Sequence, residues 1–154
     1  MNNQDFTTAF LVDQSPKQAF DAINNVRGWW TEVVDGNTEK LNDEFSVQFW
    51  DVHYSKQKLV EVVPNSKVVW LVTDSKLTFI EDQSEWTGHH IIFDITKQGD
   101  KTQVRFTQQG LNPAGECFAD CSNAWSGYIN NSLQSLITTG TGHPTTKEAL
   151  TTKN

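Results

Sequence analysis

The apolar and polar residues of this 154-residue chain first recur with the two-residue period of half-buried β-strands. Phe45, Val47 and Phe49 show the alternation most clearly. Pro64-Asn65-Ser66 and Gly99-Asp100 supply turns between successive runs. Strands separated by such short turns are typical of an antiparallel meander. The predicted strands are residues 6–12, 44–50, 58–63, 68–73, 77–80, 87–96 and 102–107.

Two short helices are predicted directly after the first strand. Ser15 is a suitable N-cap and Pro16 suits the first helical position, and apolar residues follow at helical spacing. This helix ends near Asn24-Asn25. The next segment, Val26-Arg27-Gly28-Trp29-Trp30, is predicted to be a helical turn that points one or both tryptophans inward.

A long amphipathic helix is predicted after the loop Gly110-Leu111-Asn112-Pro113. One set of residues recurs every three or four positions, which places it on one face of an α-helix of about seven turns. Glycines and a proline within residues 139–144 end the helix. The polar residues 145–154 are predicted to form a flexible C-terminal tail. The recurring face consists of Phe118, Cys121, Trp125, Tyr128, Ile129, Ser132, Leu133, Leu136 and Ile137.

These elements predict one domain of the α+β class over residues 1–144. The long helix must bury its apolar face, and the concave face of the sheet is the partner that the chain offers. A strongly curved antiparallel sheet wrapped around one helix often leaves a gap between them. Such a gap is where a small ligand would lie.

Composition excludes several classes of partner. Lys and Arg total 12 and Asp and Glu total 19, which gives a net charge of −7. Such a chain repels phosphate backbones and anionic lipid, so neither nucleic acid nor a membrane is expected as a partner. Met1-Asn2-Asn3-Gln4-Asp5 lacks the features of a signal peptide, and two cysteines are too few for a secreted disulfide scaffold. A cytoplasmic location with reduced thiols is therefore expected.

Six tryptophans and nine phenylalanines either fill the core or line a cavity. If they converge, the helix and the sheet enclose a pocket with aromatic walls, in which His89, Tyr128 and Arg105 could orient a ligand. His89 shares a strand face with the alternating apolar residues that follow it and is predicted to point inward, as a ligand-binding group or as a hydrogen-bonded core histidine. The predicted cavity-lining residues are Trp30, Trp70, Trp86, His89, Phe93, Arg105, Cys121, Trp125 and Tyr128.

Two further groups of residues have more than one interpretation. Cys117 and Cys121 share a helix face, and structural packing is expected for them over thiol chemistry or metal binding, since zinc would need two more ligands. Asp51, His53 and Ser55 are expected to form a turn network, because a catalytic triad rarely fits within five residues. The sequence contains no nucleophile elbow, phosphate-binding loop or dinucleotide fingerprint, so no cofactor or metal is predicted.

Short motifs along residues 6–144 resemble the START-like, or SRPBCC, superfamily. The start of a typical sequence of this superfamily is similar to two segments of this chain, Val12-Asp13-Gln14-Ser15-Pro16 and Ala19-Phe20-Asp21-Ala22-Ile23. The resemblance implies the helix-grip fold, in which a curved antiparallel sheet wraps around a long C-terminal helix, and it implies a hydrophobic cavity. It does not imply one reaction, because members include lipid carriers, hormone receptors, polyketide cyclases and chaperone cofactors. Five further motifs resemble one bacterial branch of the superfamily, the group similar to the activator of heat-shock-protein-90 ATPase. They are Trp29-Trp30, Asp51-Val52-His53-Tyr54-Ser55, Val68-Val69-Trp70, Glu85-Trp86-Thr87-Gly88 and Gly110-Leu111.

Three functions follow as hypotheses. The first is a small-molecule-binding domain that holds an apolar or aromatic ligand in the cavity. The second is a stress-related protein-interaction module resembling a chaperone cofactor, although the additional N-terminal domain of the eukaryotic activators is not seen in this sequence. The third is a cyclase-type or hydrolase-type enzyme that uses the pocket residue His89. The chain is expected to be a monomer or a homodimer, without a catalytic function.

Overall fold

One seven-stranded antiparallel sheet dominates the computed structural model, which describes residues 4–151. The strand order is β1-β7-β6-β5-β4-β3-β2. Each strand from β2 to β7 therefore neighbours the next in the chain, which confirms the predicted meander, and β1 returns to pair with β7. The strands are β1 (Phe6–Val12), β2 (Val34–Gly36), β3 (Glu44–Phe49), β4 (His53–Val63), β5 (Lys67–Leu77), β6 (His90–Gln98) and β7 (Lys101–Gln109).

The sheet curves because its two longest strands pair irregularly. The register between β4 and β5 shifts at Lys56/Gln57 and again at Leu59/Glu61. An extra residue in one strand bends it and increases its twist. The concave face that results is the one that receives the C-terminal helix.

Two of the predicted strands need correction. The strand predicted at residues 77–80 is wrong, because Leu77 ends β5 and its carbonyl accepts a hydrogen bond from the amide of Ile80 (3.4 Å) in a turn. The strand predicted to begin at residue 87 begins at His90, since the preceding residues form turns in which the amide of His89 donates to the carbonyl of Trp86. The strand β2 has only three residues, too few for an alternation to reveal.

The short helical segments after β1 agree with the prediction. Helix α1 (Pro16–Asn24) begins with a capping box, in which the Ser15 hydroxyl accepts from the amide of Gln18 and the Gln18 side chain accepts from the amide of Ser15. A single 3₁₀ turn (Val26–Gly28) follows, and it places both Trp29 and Trp30 in the interior.

The long C-terminal helix is also confirmed, and it runs from residue 118 to residue 139. It consists of α2 (Phe118–Gly127), a wider π-helical stretch (Tyr128–Leu133) and α3 (Gln134–Thr139), and it ends at Gly140 with a left-handed φ of 86°. Ser132 donates to the carbonyl of Trp29 (2.7 Å), and Asn130 donates to Thr8 of β1 (3.2 Å). Among residues 4–151, no helix has both the length and the apolar character needed to cross a membrane.

The stretch predicted to be a flexible tail, residues 145–154, is described as far as residue 151. Thr145 forms a parallel bridge with Thr31, in which its amide donates to the carbonyl of Trp30 (3.0 Å) and its carbonyl accepts from the amide of Glu32 (2.9 Å). Helix α4 (Lys147–Thr151) follows. Polar residues are held here by backbone hydrogen bonds, which leave no periodic pattern in the sequence. The mobility of this segment stays a prediction.

Candidate ligand-binding groove

A cavity of about 200 Å³ lies between the first turns of the C-terminal helix and the sheet. It is open to solvent, and the exposed residues at its mouth include Trp50 and Phe79, which are 41% and 43% exposed. Eight of its eleven lining residues carry aromatic rings, if the imidazole of His53 is included. We call this cavity the aromatic groove, and it is lined by Trp30, Phe49, Trp50, His53, Phe79, Trp86, Asp120, Cys121, Ala124, Trp125 and Tyr128.

The wall formed by the helix follows directly from helical geometry. Residues 120, 121, 124, 125 and 128 are spaced so that they share one face of a helix. Five of the nine residues predicted from the sequence line the groove. They are Trp30, Trp86, Cys121, Trp125 and Tyr128.

Trp70 and Phe93 lie behind the groove, in the packed interior. Trp29 stacks on Trp70 with ring centroids 6.3 Å apart, and Trp70 meets Phe93 edge-on at 5.0 Å. The side chains of all three residues are fully buried. Trp30 lies between the packed interior and the groove, because its ring stacks on that of Trp70 at 5.8 Å and also lines the groove.

His89 lies outside the groove and makes the hydrogen bonds of a core histidine. The amide nitrogen of Gln108 contacts Nδ1 of His89 at 2.9 Å, and the amide oxygen of Gln108 accepts from the indole of Trp125 at 2.6 Å. Nδ1 must therefore be unprotonated, because it accepts this hydrogen bond. Burial lowers the pKa of His89, and this effect exceeds the opposite effect of the nearby carboxylates of Glu85 and Asp5, which raise it. His89 thus positions Trp125 through Gln108.

Arg105 also lies away from the groove. It is exposed on β7, between the buried residues Val104 and Phe106, and its side chain therefore points to the opposite face of the sheet. Its guanidinium approaches the hydroxyl of Thr7 on β1 at 3.5 Å.

Six lining residues were not predicted from the sequence. Asp120 and Ala124 could have been found from the helical period, since they flank Cys121 and Trp125 on the same face. Phe49, Trp50, His53 and Phe79 come from strand ends and turns, and Trp50 has a left-handed φ of 52°. Local alternation does not reveal which way such a residue points.

His53 is the polar group in the inner wall of the groove. Its Nε2 is 2.9 Å from the hydroxyl of Ser55, and the amide nitrogen of Gln57 donates to the same hydroxyl at 2.5 Å. Burial lowers the pKa of His53 from 6.5 to about 4, which keeps the ring neutral near pH 7.

The interaction of His53 with Ser55 does not make a nucleophilic centre. Ser55 is fully buried beneath His53 and does not line the groove. A nucleophile must reach a substrate atom while a base holds its proton. The predicted turn network also needs correction, because only Asp51 lies in a turn, whereas His53 and Ser55 are paired residues of the strand β4.

Trp86 forms the part of the inner wall next to His53. Its ring stacks on Trp125 at 5.9 Å and meets His53 edge-on at 4.7 Å. The indole nitrogen of Trp86 is buried and has no hydrogen-bond partner within residues 4–151. An N–H donor without a partner is costly to bury, so an acceptor on a bound molecule would relieve that cost.

The outer wall is held by the C-terminal segment. The indole of Trp50 donates to the carbonyl of Ala149 at 3.2 Å. The hydroxyl of Tyr128 is 2.5 Å from the hydroxyl of Thr145. Burial raises the pKa of Tyr128, while its bond to Thr145 acts in the opposite direction, and the phenol therefore stays protonated near pH 7.

The two cysteines lie where the helix meets the groove. Both are buried, as expected, and the structure pairs them as a disulfide across one helical turn. Their Cα atoms are 5.4 Å apart, within the range of about 4.4–6.8 Å that a disulfide spans. The part of the chain that the structure describes has no cluster of three or more His, Cys, Asp or Glu side chains suited to a metal ion.

Comparison with known proteins identifies the fold. No protein-family model matches the chain, and no curated protein matches it in sequence. The solution structure of the Aha1 dimer from Colwellia psychrerythraea matches with a TM-score of 0.72 and 20% identity, over 90% of this chain and 99% of that one. The chain has the START-like helix-grip fold. The fold implied by the sequence resemblance is therefore confirmed.

Other solved structures share the same fold. A protein from Staphylococcus saprophyticus matches with a TM-score of 0.67 and 14% identity, over 92% of this chain and 97% of that one. DynU16, a protein encoded in the dynemicin biosynthetic locus, matches with a TM-score of 0.63 and 13% identity, over 92% of this chain and 49% of that one. Identities this low establish the START-like fold without a function.

Proposed function

We propose that this START-like chain binds a small molecule and that the ligand lies in the aromatic groove. The observation that carries the proposal is an open, apolar cavity between helix and sheet, directly beside an interior that is filled by Trp29, Trp70 and Phe93. Each square ångström of apolar surface that a ligand buries there contributes roughly 25 cal/mol. Aromatic walls with few polar groups are the usual composition of small-molecule sites.

The size of the groove limits the ligand. Its volume of about 200 Å³ is below the roughly 300–1,000 Å³ of pockets for drug-sized molecules. The ligand is therefore compact, about the size of one substituted ring. Among the lining residues, Trp86 carries an indole N–H that is buried and has no hydrogen-bond partner within residues 4–151, and this N–H would orient an oxygen acceptor on that ligand.

A pair of helix variants tests the proposal. Ala124→Leu places a larger side chain in the groove, whereas Ala119→Leu makes the same change on an exposed residue of α2 that does not line it. We expect some members of a panel of small aromatic compounds to raise the melting temperature of the wild type and of Ala119→Leu, but not that of Ala124→Leu. The proposal fails if no compound stabilises the wild type, or if Ala124→Leu responds as the wild type does.

The chaperone-cofactor function has a narrower basis, which is the likeness to the Aha1 dimer. Large exposed apolar side chains would support a protein partner if they formed one patch. They are instead distributed over several elements, and two of them, Trp50 and Phe79, belong to the mouth of the groove. Small-molecule binding therefore has the stronger physical support.

A further inference from the structure

We infer that the ligand of the aromatic groove is a small organic cation, held by its ammonium group between the aromatic rings and the carboxylate of Asp120. This inference rests on the proposed function, because it names the ligand class of the same site. It is carried by two independent features of the groove, which are the sign of its charge and the arrangement of its rings.

The charge of the groove is negative. Asp120 is the charged residue among the eleven that line it, and no lysine or arginine is among them. The Asp120 side chain is exposed and has no hydrogen-bond or ion-pair partner among the described residues. The imidazole of His53 adds no positive charge near pH 7, because burial lowers its pKa to about 4. The net charge of −7 further favours the approach of a cation.

Several rings line the same cavity. The ring of Trp125 contacts that of Trp30, with centroids 4.9 Å apart and planes inclined by 35°, and it stacks on that of Trp86 at 5.9 Å. Trp50 and Phe79 remain exposed at the mouth. A cation within about 6 Å of an aromatic ring centre is attracted by the ring quadrupole, and tryptophan is the strongest partner. Several rings beside one carboxylate therefore form a site for an ammonium group.

An ordinary apolar pocket would show the opposite preference. Moving a charged group out of water costs free energy, so a pocket that offers only apolar contact binds a hydrocarbon more tightly than its cationic analogue. The sign of the preference between two molecules of equal shape therefore reports directly on this inference.

The experiment compares phenyltrimethylammonium with tert-butylbenzene, which has carbon in place of the nitrogen. Both are titrated into the intact protein at low salt, and binding is followed by tryptophan fluorescence. We expect the cation to bind at least about fivefold more tightly than the hydrocarbon. Equal binding, or tighter binding of the hydrocarbon, overturns the inference and leaves the proposed function standing. Binding of neither compound, in the groove that both would fit, counts against both.

Two charge variants locate the source of the preference. Asp120→Asn removes the carboxylate from the groove, and Glu61→Gln removes a carboxylate from an exposed position on β4 that is outside the groove. Both variants change the net charge from −7 to −6. We expect Asp120→Asn to lose most of the preference for the cation and Glu61→Gln to keep it. If the two variants weaken cation binding equally, the effect is that of net charge and the role of Asp120 is refuted.

Discussion

Glu85 and Glu116 hold the β5–β6 loop against the start of the C-terminal helix by accepting hydrogen bonds from each other's segments. The Glu85 carboxylate accepts from the amides of Glu116 (2.8 Å) and Cys117 (3.1 Å). The Glu116 carboxylate accepts in return from the amides of Asp82 (2.8 Å) and Glu81 (3.3 Å). Since Trp86 follows Glu85 in the chain, this pair of carboxylates also fixes one wall of the aromatic groove.

Removing the Glu85 carboxylate should loosen that wall. Glu85→Ala leaves two amides at the helix start without their acceptor, and hydrogen bonds to a charged group contribute more than neutral ones. We expect a loss of about 1 kcal/mol in the free energy of unfolding, measured by urea denaturation, together with weaker ligand binding. Glu61→Ala, on the surface of β4, is the control and should change neither quantity. Unchanged stability of Glu85→Ala would show that the loop is held by other contacts.

Gly110 is required where the chain leaves β7 and passes His89. Its φ is +110°, and a Cβ atom at this position would lie 2.3 Å from the His89 ring. Gly110→Ala should therefore displace His89 and, through Gln108, the indole of Trp125. We expect a loss of about 2–3 kcal/mol of stability by urea denaturation, since backbone strain and a steric clash add together.

Gly99→Ala is the matched control for that change. Gly99 also has a positive φ, of 63°, but an added Cβ would meet no atom within 4 Å. Its loss should be limited to the backbone strain, about 1 kcal/mol. If both variants lose the same stability, the contact with His89 contributes nothing beyond the strain.

The fold was largely predictable from the sequence because each of its main elements carries its own periodicity. β1 has the predicted bounds, residues 6–12, and the C-terminal helix has the predicted buried face. These patterns arise from local geometry, in which alternate strand residues and every third or fourth helix residue share a side. The turn at Leu77–Ile80 was predicted to be a strand because a short apolar run has no period of its own.

The groove was only half predictable, for a different reason. Apolar periodicity identifies buried rings but does not separate a ring that fills the core, such as Trp70, from one that lines a cavity, such as Trp30. That distinction depends on which elements meet in space. His53 and Phe79 reach the groove from strand ends and turns that are far from the helix in sequence. The bonds of Thr145 to Trp30 and Glu32 are made by the backbone, which every residue type offers.

The C-terminal segment should close one side of the groove through the backbone of Thr145. Thr145→Pro removes the N–H that donates to the carbonyl of Trp30, whereas Thr145→Val removes only the hydroxyl that contacts Tyr128. We expect faster amide hydrogen exchange at Glu32 in Thr145→Pro, because its amide donates to the Thr145 carbonyl, and little change in Thr145→Val. Equal exchange rates in both variants would mean that the segment is held mainly by its side chains.

His53 should make the stability of the protein depend on pH between about 4 and 6.5. Burial lowers its pKa in the folded state to about 4, against 6.5 in the unfolded chain. Within this window the unfolded state binds one more proton than the folded state. The free energy of unfolding therefore rises with pH, by at most about 1.4 kcal/mol per pH unit. Above pH 6.5 the contribution of His53 to stability is complete. His53→Gln should flatten this rise in urea denaturation, relative to the wild type. His89 contributes in the same direction, because its pKa is also lowered, so part of the slope will remain. An unchanged slope in His53→Gln would mean that His53 is protonated as readily in the folded protein as in the unfolded chain.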